Sequence, residues 1–62
     1  MTIGERIKAR RAKLRLTQQQ CADEMGVGQS RWADIEAGRT NPTVKLLGRV
    51  AKVLRCQVRD LL

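Results

Sequence analysis

The sequence predicts an all-α protein of five short helices packed as one compact domain. Apolar residues recur at the three- and four-residue spacing of a helix along most of the chain. Thr2 and Thr17 each precede a Glu or Gln by three positions, a pattern that begins helices. Gly26 and Gly38 stand where two helices are expected to end. No linker, repeat or low-complexity segment divides residues 1–62, so we expect a single domain.

Helix 1 begins with the capping box formed by Thr2 and Glu5. Its apolar positions follow a helical repeat, but Arg11 falls on the same line. A buried charge is costly unless it is paired, so Arg11 needs a partner of opposite charge. The apolar members of this line are Ile3, Ile7 and Leu14.

Residues 17–38 are the most informative part of the chain and predict two short helices joined by a glycine turn. The small Ala22 lies where the two helix backbones would cross. Gly26 lies where the chain must reverse, in a turn that favours a positive φ angle. Apolar side chains at the inward positions complete the layout of a helix-turn-helix over about residues 18–37. These inward positions are Cys21, Met25, Val27, Trp32 and Ile35.

The later helices follow from similar signals. Helix 3 is expected over residues 29–37, and helix 4 over residues 44–54 with Thr43 as its N-cap. A fifth helix is expected over residues 58–62, although Gln57 is a poor N-cap. The positions predicted to be buried are Val44, Leu47, Val50, Ala51 and Leu54 in helix 4, and Val58, Leu61 and Leu62 in helix 5.

The charge balance points to a polyanionic partner. Thirteen Lys and Arg against six Asp and Glu give a net charge of +7. The alternative interpretation of the basic run is a helix face that is simply exposed to solvent. No apolar run approaches about 18 residues, so no membrane-spanning segment is expected. The basic residues concentrated near the N-terminus are Arg6, Lys8, Arg10, Arg11, Lys13 and Arg15.

Cysteine and histidine counts exclude several classes of site. Cys21 and Cys56 are far apart in sequence, and the chain has no histidine, so no metal site and no cofactor are expected. No Ser/His/Asp or Cys/His arrangement is available, so we expect the protein not to be an enzyme. Both cysteines fall on apolar faces and are expected to be buried, reduced thiols, which fits a reducing cytoplasm.

The exposed side of helix 3 carries the candidate recognition residues. Trp32 and Glu36 cluster with the inward face, whereas polar side chains occupy the N-terminal turn and the opposite face. A Gln side chain can pair with adenine, Ser can reach several base edges, and Asp can accept from cytosine. Plain solvation is the alternative for such side chains, and for Asp34 the two interpretations are balanced. The candidate base contacts are Gln29, Ser30, Arg31 and Asp34.

The motif LTQQQCADEMGVGQSRW resembles the XRE, Cro and lambda-repressor family of phage and bacterial regulators, above all lambdoid phage repressor DNA-binding domains. The family's five-helix domain would cover essentially the whole chain. The resemblance implies a sequence-specific regulator of transcription, most simply a repressor, that binds double-stranded DNA as a dimer on a palindromic operator. It also implies that Gln18 contacts a phosphate and hydrogen-bonds Gln29, which reads adenine, and that Ser30 touches guanine. Arg11 and Glu36 match a buried salt bridge of some family members.

The same resemblance implies further contacts and partners. A homodimer would form through the C-terminal Val58, Leu61 and Leu62, and Asp23 matches a position that touches RNA polymerase in some members. The protein would act in the cytoplasm of a bacterial or phage-infected cell, at the nucleoid. The candidate phosphate contacts are Thr17, Gln18, Arg10, Arg39, Thr40, Asn41, Thr43 and Lys45.

Two residues, one within helix 4 and one directly after it, depart from the family's pattern. Gly48 replaces a larger apolar residue, at a cost of about 0.5–1 kcal/mol relative to Ala, and close backbone packing is the expected compensation. Arg55 replaces the usual Gly at the helix end.

An antitoxin-type, protein-binding regulator that also represses its own operon is the alternative function. A single-strand binder is disfavoured because Trp32, the only aromatic residue, is expected to be buried.

Overall fold

Four α-helices and one 3₁₀ turn make up the computed structural model, which describes residues 1–62. The predicted all-α class is confirmed, but the predicted five-helix arrangement is not, because a 3₁₀ turn stands where the fifth helix was expected. The α-helices are α1 (Ile3–Lys13), α2 (Gln18–Met25), α3 (Gln29–Ala37) and α4 (Val44–Val53), and the 3₁₀ turn is Val58–Asp60.

The C-terminal segment is a 3₁₀ turn because its backbone bonds span three residues. The N–H groups of Asp60 and Leu61 donate to the carbonyl oxygens of Gln57 and Val58, both at 2.9 Å. Leu61 is 1% exposed and packs into the protein's own core, whereas Leu62 is 62% exposed. Leu61 is therefore unavailable for the dimer contact that was expected of it.

Threonine caps begin three of the four helices, as predicted. The hydroxyl oxygens of Thr2, Thr17 and Thr43 each accept a hydrogen bond from the backbone N–H three residues later, at 3.0–3.1 Å. In the first two helices the side-chain oxygens of Glu5 and Gln20 accept a hydrogen bond from the backbone N–H of the capping threonine. These reciprocal bonds satisfy donors that a helix N-terminus otherwise leaves unpaired.

Every α-helix is followed by a residue in the left-handed conformation. Gly26 and Gly38 adopt φ angles of 78° and 77°, as the turn prediction required. The other two positions hold arginine: φ is 59° at Arg15 and 55° at Arg55. A side chain with a Cβ atom is strained in this region, so both arginines cost stability that glycine would not.

The core lies between all four α-helices and the C-terminal turn. Trp32 is its largest member and is 0% exposed, which confirms the predicted inward face of α3. Cys21 is also fully buried and carries a free thiol, and the free thiol of Cys56 is partly buried. The buried apolar residues are Ile7, Cys21, Ala22, Met25, Trp32, Ile35, Leu46, Leu47, Val50, Ala51, Val53, Leu54 and Leu61.

The buried face of α4 is rotated from the predicted one. Val44 was expected in the core but is 80% exposed, whereas Leu46 and Val53 are buried. At 100° per residue, the observed stripe is centred on Val50, which places Val44 about 120° away. The expected close packing at Gly48 is also wrong, because a Cβ atom there would meet nothing within 4 Å.

Gly4 is where α1 approaches α3 most closely. A Cβ atom at Gly4 would lie 2.9 Å from the Glu36 carbonyl carbon and nearer still to its oxygen. Only a residue without a side chain fits there, and the sequence analysis did not identify this position.

None of the helices is long and apolar enough to span a bilayer.

Candidate nucleic-acid interface

A buried carboxylate on α3 anchors the candidate site. The side chain of Glu36 is 4% exposed and accepts four hydrogen bonds. Its Oε2 accepts from Arg11 Nε at 2.5 Å and from Trp32 Nε1 at 2.6 Å. Its Oε1 accepts from Gln18 Nε2 at 3.1 Å and from Arg11 Nη2 at 3.2 Å. The predicted Arg11–Glu36 pair is therefore present and bidentate, and every strong acceptor position of the carboxylate is used.

The hydrogen bonds overcome the cost of burying this charge. Burial alone would raise the pKa of Glu36, but the bonds from Arg11, Gln18 and Trp32 outweigh burial and hold that pKa below its ordinary value. The bond to Glu36 raises the pKa of the Arg11 guanidinium. The two shifts agree that both groups are ionised in the folded protein. Arg11 is further fixed by donating to the Leu16 carbonyl oxygen at 2.9 Å.

Gln18 connects this buried pair to the protein surface. While its amide nitrogen donates to Glu36, its Oε1 accepts from Gln29 Nε2 at 3.4 Å. The structure thus brings together Gln18 and Gln29, as the resemblance implied, and adds the carboxylate behind them. Gln29 is the first residue of α3, and it is exposed with Ser30 and Arg31 on the first turn of that helix.

Asp34 and Arg39 form a second, exposed pair. Arg39 Nη1 donates to Asp34 Oδ1 at 3.2 Å, with 72% of the Arg39 side chain and 43% of the Asp34 side chain exposed. An ion pair this exposed contributes about 0–1 kcal/mol, so it does not hold Arg39 strongly. A phosphate could compete with Asp34 for the same guanidinium.

Arg10, a candidate phosphate contact, has a structural role. Its Nε and Nη2 atoms donate to the carbonyl oxygens of Leu54 and Arg55, both at 3.2 Å. These carbonyls lie at the C-terminal end of α4, where a positive charge also interacts favourably with the helix dipole. Of the other candidate phosphate contacts, the hydroxyls of Thr17 and Thr43 are helix caps, Gln18 and Thr40 are partly buried, and Asn41 and Lys45 are exposed.

Two contacts of the site were missed by sequence reasoning. Trp32 donates to Glu36, and a buried indole N–H next to a Glu four residues later on one helix was a signal for this bond. Arg49 Nη2 donates to the Met25 carbonyl oxygen at 3.0 Å and thereby closes the end of α2 just before the turn. No pattern in the sequence indicated that contact. No group of three or more potential metal ligands is assembled anywhere in the fold.

Two helices joined at Gly26, with polar side chains exposed on the first turn of the second helix, define a helix-turn-helix protein. A family model described as Helix-turn-helix matches residues 7–61. The chain is 36% identical over 56 residues to an uncharacterized HTH-type transcriptional regulator of Archaeoglobus fulgidus. The aligned residues cover 90% of this chain and 79% of that protein. The chain therefore belongs to the helix-turn-helix family, in its lambdoid-repressor-like branch, which is not an enzyme class.

Two phage proteins extend the comparison. The immunity repressor protein of Bacillus phage phi105 is 47% identical over 58 residues, which cover 94% of this chain and 40% of the phage protein. The chain thus spans less than half the length of that repressor. The P22 c2 repressor, in a crystal structure with synthetic operator 9T, superposes with a TM-score of 0.88 at 34% identity over 100% of this chain and 94% of that one.

Proposed function

We propose that this chain is a sequence-specific, double-stranded-DNA-binding repressor of transcription that places α3 in the major groove. The observation that carries the proposal is Gln29, exposed at the first position of α3 and tied to Gln18. The phi105 and P22 proteins, both named as repressors, support the regulatory role, and the latter is bound to an operator. The net charge of +7 supports a polyanionic partner.

The exposed turn of α3 has the chemistry to distinguish base pairs. The amide of Gln29 can donate to adenine N7 and accept from its N6 amino group. Ser30 and Arg31 present a hydroxyl and a guanidinium on the same turn, and Asp34 lies on the next. The major groove, about 12 Å wide, admits a helix that presents such side chains.

Phosphate contacts would then orient the domain without reading sequence. We assign them to residues that surround α3: Thr17 and Gln18 before it, and the loop and helix start after it. Arg39 is the strongest of these candidates because its only ion pair, with Asp34, is exposed and weak and leaves the guanidinium free to bind a phosphate. The remaining candidates are Thr40, Asn41, Thr43, Lys45 and Arg10. Of these, Arg10 also binds the carbonyl oxygens at the end of α4.

Two copies are expected to bind a palindromic site, with half-sites about one helical turn apart. Since Leu61 is buried, Leu62 and the partly exposed Val58 are the C-terminal residues left for that contact. Such a repressor would act at the nucleoid, in bacterial cytoplasm. A contact with RNA polymerase through Asp23 belongs to the same proposal, and Asp23 is exposed and accepts from Gln19 Nε2 at 2.7 Å.

The proposal separates residues that read sequence from residues that bind the backbone. Gln29→Ala should weaken binding to a duplex selected from a random pool by about 1–3 kcal/mol and leave binding to random duplexes nearly unchanged. Arg39→Ala should weaken binding to both and reduce the slope of log K against log salt by about one unit. Titrations of both variants at several salt concentrations measure these effects.

Gln19→Ala is the matched control, because Gln19 is an exposed glutamine of α2 that contacts Asp23 and neither Gln29 nor Glu36. It should bind both duplexes like the unaltered protein. If Gln29→Ala weakens both duplexes equally, α3 is not the reading helix, and a protein-binding regulator becomes the better explanation.

A further inference from the structure

The amides of Gln18 and Gln29 have one orientation that the Glu36 carboxylate allows. An ionised carboxylate accepts hydrogen bonds and donates none, so Gln18 must turn its NH₂ group toward Glu36 Oε1, at 3.1 Å. The Gln18 carbonyl oxygen therefore faces Gln29, and Gln29 must turn its own NH₂ group inward, at 3.4 Å. Gln29 is left with its carbonyl oxygen and one N–H for an outside partner.

We propose that Glu36 is a specificity-determining positioning residue that acts on base choice without touching DNA. The direction of its hydrogen bonds, passed through Gln18, decides which amide atoms Gln29 presents. One acceptor beside one donor matches adenine, whose N6 amino group donates and whose N7 accepts. Guanine offers two acceptors, N7 and O6, and would match two N–H donors instead. This inference rests on the proposed function, because it requires that α3 reads base pairs.

Replacing Glu36 by Gln should reverse the direction of this chain. The new amide oxygen belongs at the Oε2 position, because the two shortest bonds there come from obligatory donors, Arg11 Nε at 2.5 Å and Trp32 Nε1 at 2.6 Å. The new NH₂ group then takes the Oε1 position, where Arg11 Nη2 loses its 3.2 Å acceptor and Gln18 must turn its oxygen toward the new donor. Gln18 next presents its NH₂ group to Gln29, whose oxygen turns inward and whose two N–H groups turn outward.

The experiment is selection of duplexes from a random pool, followed by sequencing. The unaltered protein should enrich adenine at one position, identified as the position whose preference is lost in Gln29→Ala. Glu36→Gln should shift that position from adenine toward guanine, by about tenfold or more in relative enrichment. Preferences at the other positions should not change, because Gln29 is the only base-reading side chain whose amide has turned.

Two neighbouring glutamines supply the second variant and its control. Gln18→Met cuts the chain while the Arg11–Glu36 pair keeps its own bonds, and the adenine preference should fall about tenfold without a new preference. Gln19→Met changes the adjacent residue, which bonds Asp23, and should keep the adenine preference. Circular dichroism establishes the temperature at which each variant is folded, and selection is done below it.

Each outcome decides the matter. A folded Glu36→Gln variant that still enriches adenine, or a Gln18→Met variant with the original preference, overturns the inference. A loss of affinity with all base preferences intact would show that Glu36 serves only the fold, and would also overturn it. If Glu36→Gln does not fold, an adenine preference that persists in Gln18→Met still overturns the inference, because the chain from Glu36 to Gln29 passes through Gln18. If the unaltered protein enriches no sequence, the proposed function has failed, and this is seen before any variant is compared.

Discussion

At the scale of single residues, the Arg11–Glu36 pair joins stability to the candidate site. Glu36 is buried, and three side chains from three different helices donate to it: Arg11 of α1, Gln18 of α2 and Trp32 of α3. Removal of one charge leaves the other without its partner in a region that water reaches only on the Arg11 side. Breaking a buried pair from one side costs about 3–5 kcal/mol, and the 15% exposure of Arg11 places this pair at the lower end.

We therefore expect Arg11→Met and Glu36→Leu to be strongly coupled. Each single variant should lose about 3 kcal/mol of unfolding free energy, and the double variant should lose much less than the sum. Denaturant unfolding followed by Trp32 fluorescence measures this, since Trp32 is the only aromatic residue. Additive losses in the double-mutant cycle would show that the two side chains do not interact in solution.

The pH dependence of the same variants gives a second test. Because the pKa of Glu36 is lowered on folding, its contribution is complete above its unfolded pKa of about 4.3 and is lost as pH falls through the lower folded pKa. The stability difference between the unaltered protein and the double variant should therefore shrink in acid. A difference that stays constant from neutral pH to pH values well below that range would contradict the assignment.

The sequence predicted this pair in two steps, but not its full set of partners. A charge at position 11 of an otherwise apolar stripe required a partner, and the resemblance to the repressor family identified that partner as Glu36. The link from Glu36 to Gln18 depends on where α2 crosses α3, and local spacing does not determine that crossing. Arg10 shows the same limit, because its bonds to Leu54 and Arg55 join residues 44 and 45 positions apart in the chain.

At the scale of helices, Gly4 and Gly48 form a natural contrast. Both lie within α-helices, where glycine costs about 0.5–1 kcal/mol relative to alanine. At Gly48 a methyl group would meet open space, whereas at Gly4 it would press on the backbone of Glu36 and the Ile35 carbonyl oxygen, the latter at 3.1 Å. Backbone atoms cannot move aside as a flexible side chain can.

Gly48→Ala should raise the unfolding free energy by about 0.5–1 kcal/mol, and Gly4→Ala should lower it by about 1–3 kcal/mol or more. Chemical denaturation of both variants under one set of conditions gives the comparison, and the identical substitution makes each the control for the other. Stabilisation of both variants would mean that α1 and α3 are farther apart in solution than the structure places them.

Arg55 provides the corresponding test at a helix end. Its φ angle of 55° is one that glycine adopts without strain, and its exposed contact with Glu24, at 3.9 Å, contributes little. Arg55→Gly should therefore stabilise the fold by about 0.5–1 kcal/mol, measured as a higher melting temperature. Arg55→Ala removes the same charge but keeps the Cβ atom, so it should not stabilise. Equal effects of the two variants would rule out backbone strain as the cause.

Helix starts and glycine-ended helices were predictable from sequence, because caps and turns are local chemistry. The bounds of α2 and α3 and the capping roles of Thr2, Thr17 and Thr43 follow from residues within four positions. The rotation of α4 was not predictable in this way. Val44 and Leu46 are both apolar and lie about 160° apart around that helix. Only the packing of the rest of the core decides that Leu46 is buried and Val44 exposed.

At the scale of the whole molecule, net charge opposes folding and favours binding. Seven excess positive charges lie on a body with principal extents of 23 × 22 × 19 Å. In about 10 mM salt the screening length is about 30 Å, so every surface charge interacts with every other, whereas in about 150 mM salt it is about 8 Å. Salt should relieve the self-repulsion of the free protein and, at the same time, weaken its attraction to phosphates.

The melting temperature should therefore respond to salt with opposite signs in the free and the bound protein. Without DNA it should rise as sodium chloride increases from about 10 to about 300 mM, because screening reduces repulsion. With duplex at about 100 times its Kd in low salt, binding adds about 2.7 kcal/mol, or about 20 °C for a domain of this size. That increment should disappear as salt rises and phosphate contacts weaken, so the two curves converge. Arg39→Ala should show a smaller increment at every salt concentration, and without DNA its melting temperature should rise slightly less with salt, because one positive charge has been removed. A melting temperature that falls with salt in the free protein would show that attractive ion pairs outweigh the net charge, and parallel curves with and without duplex would contradict binding through phosphates.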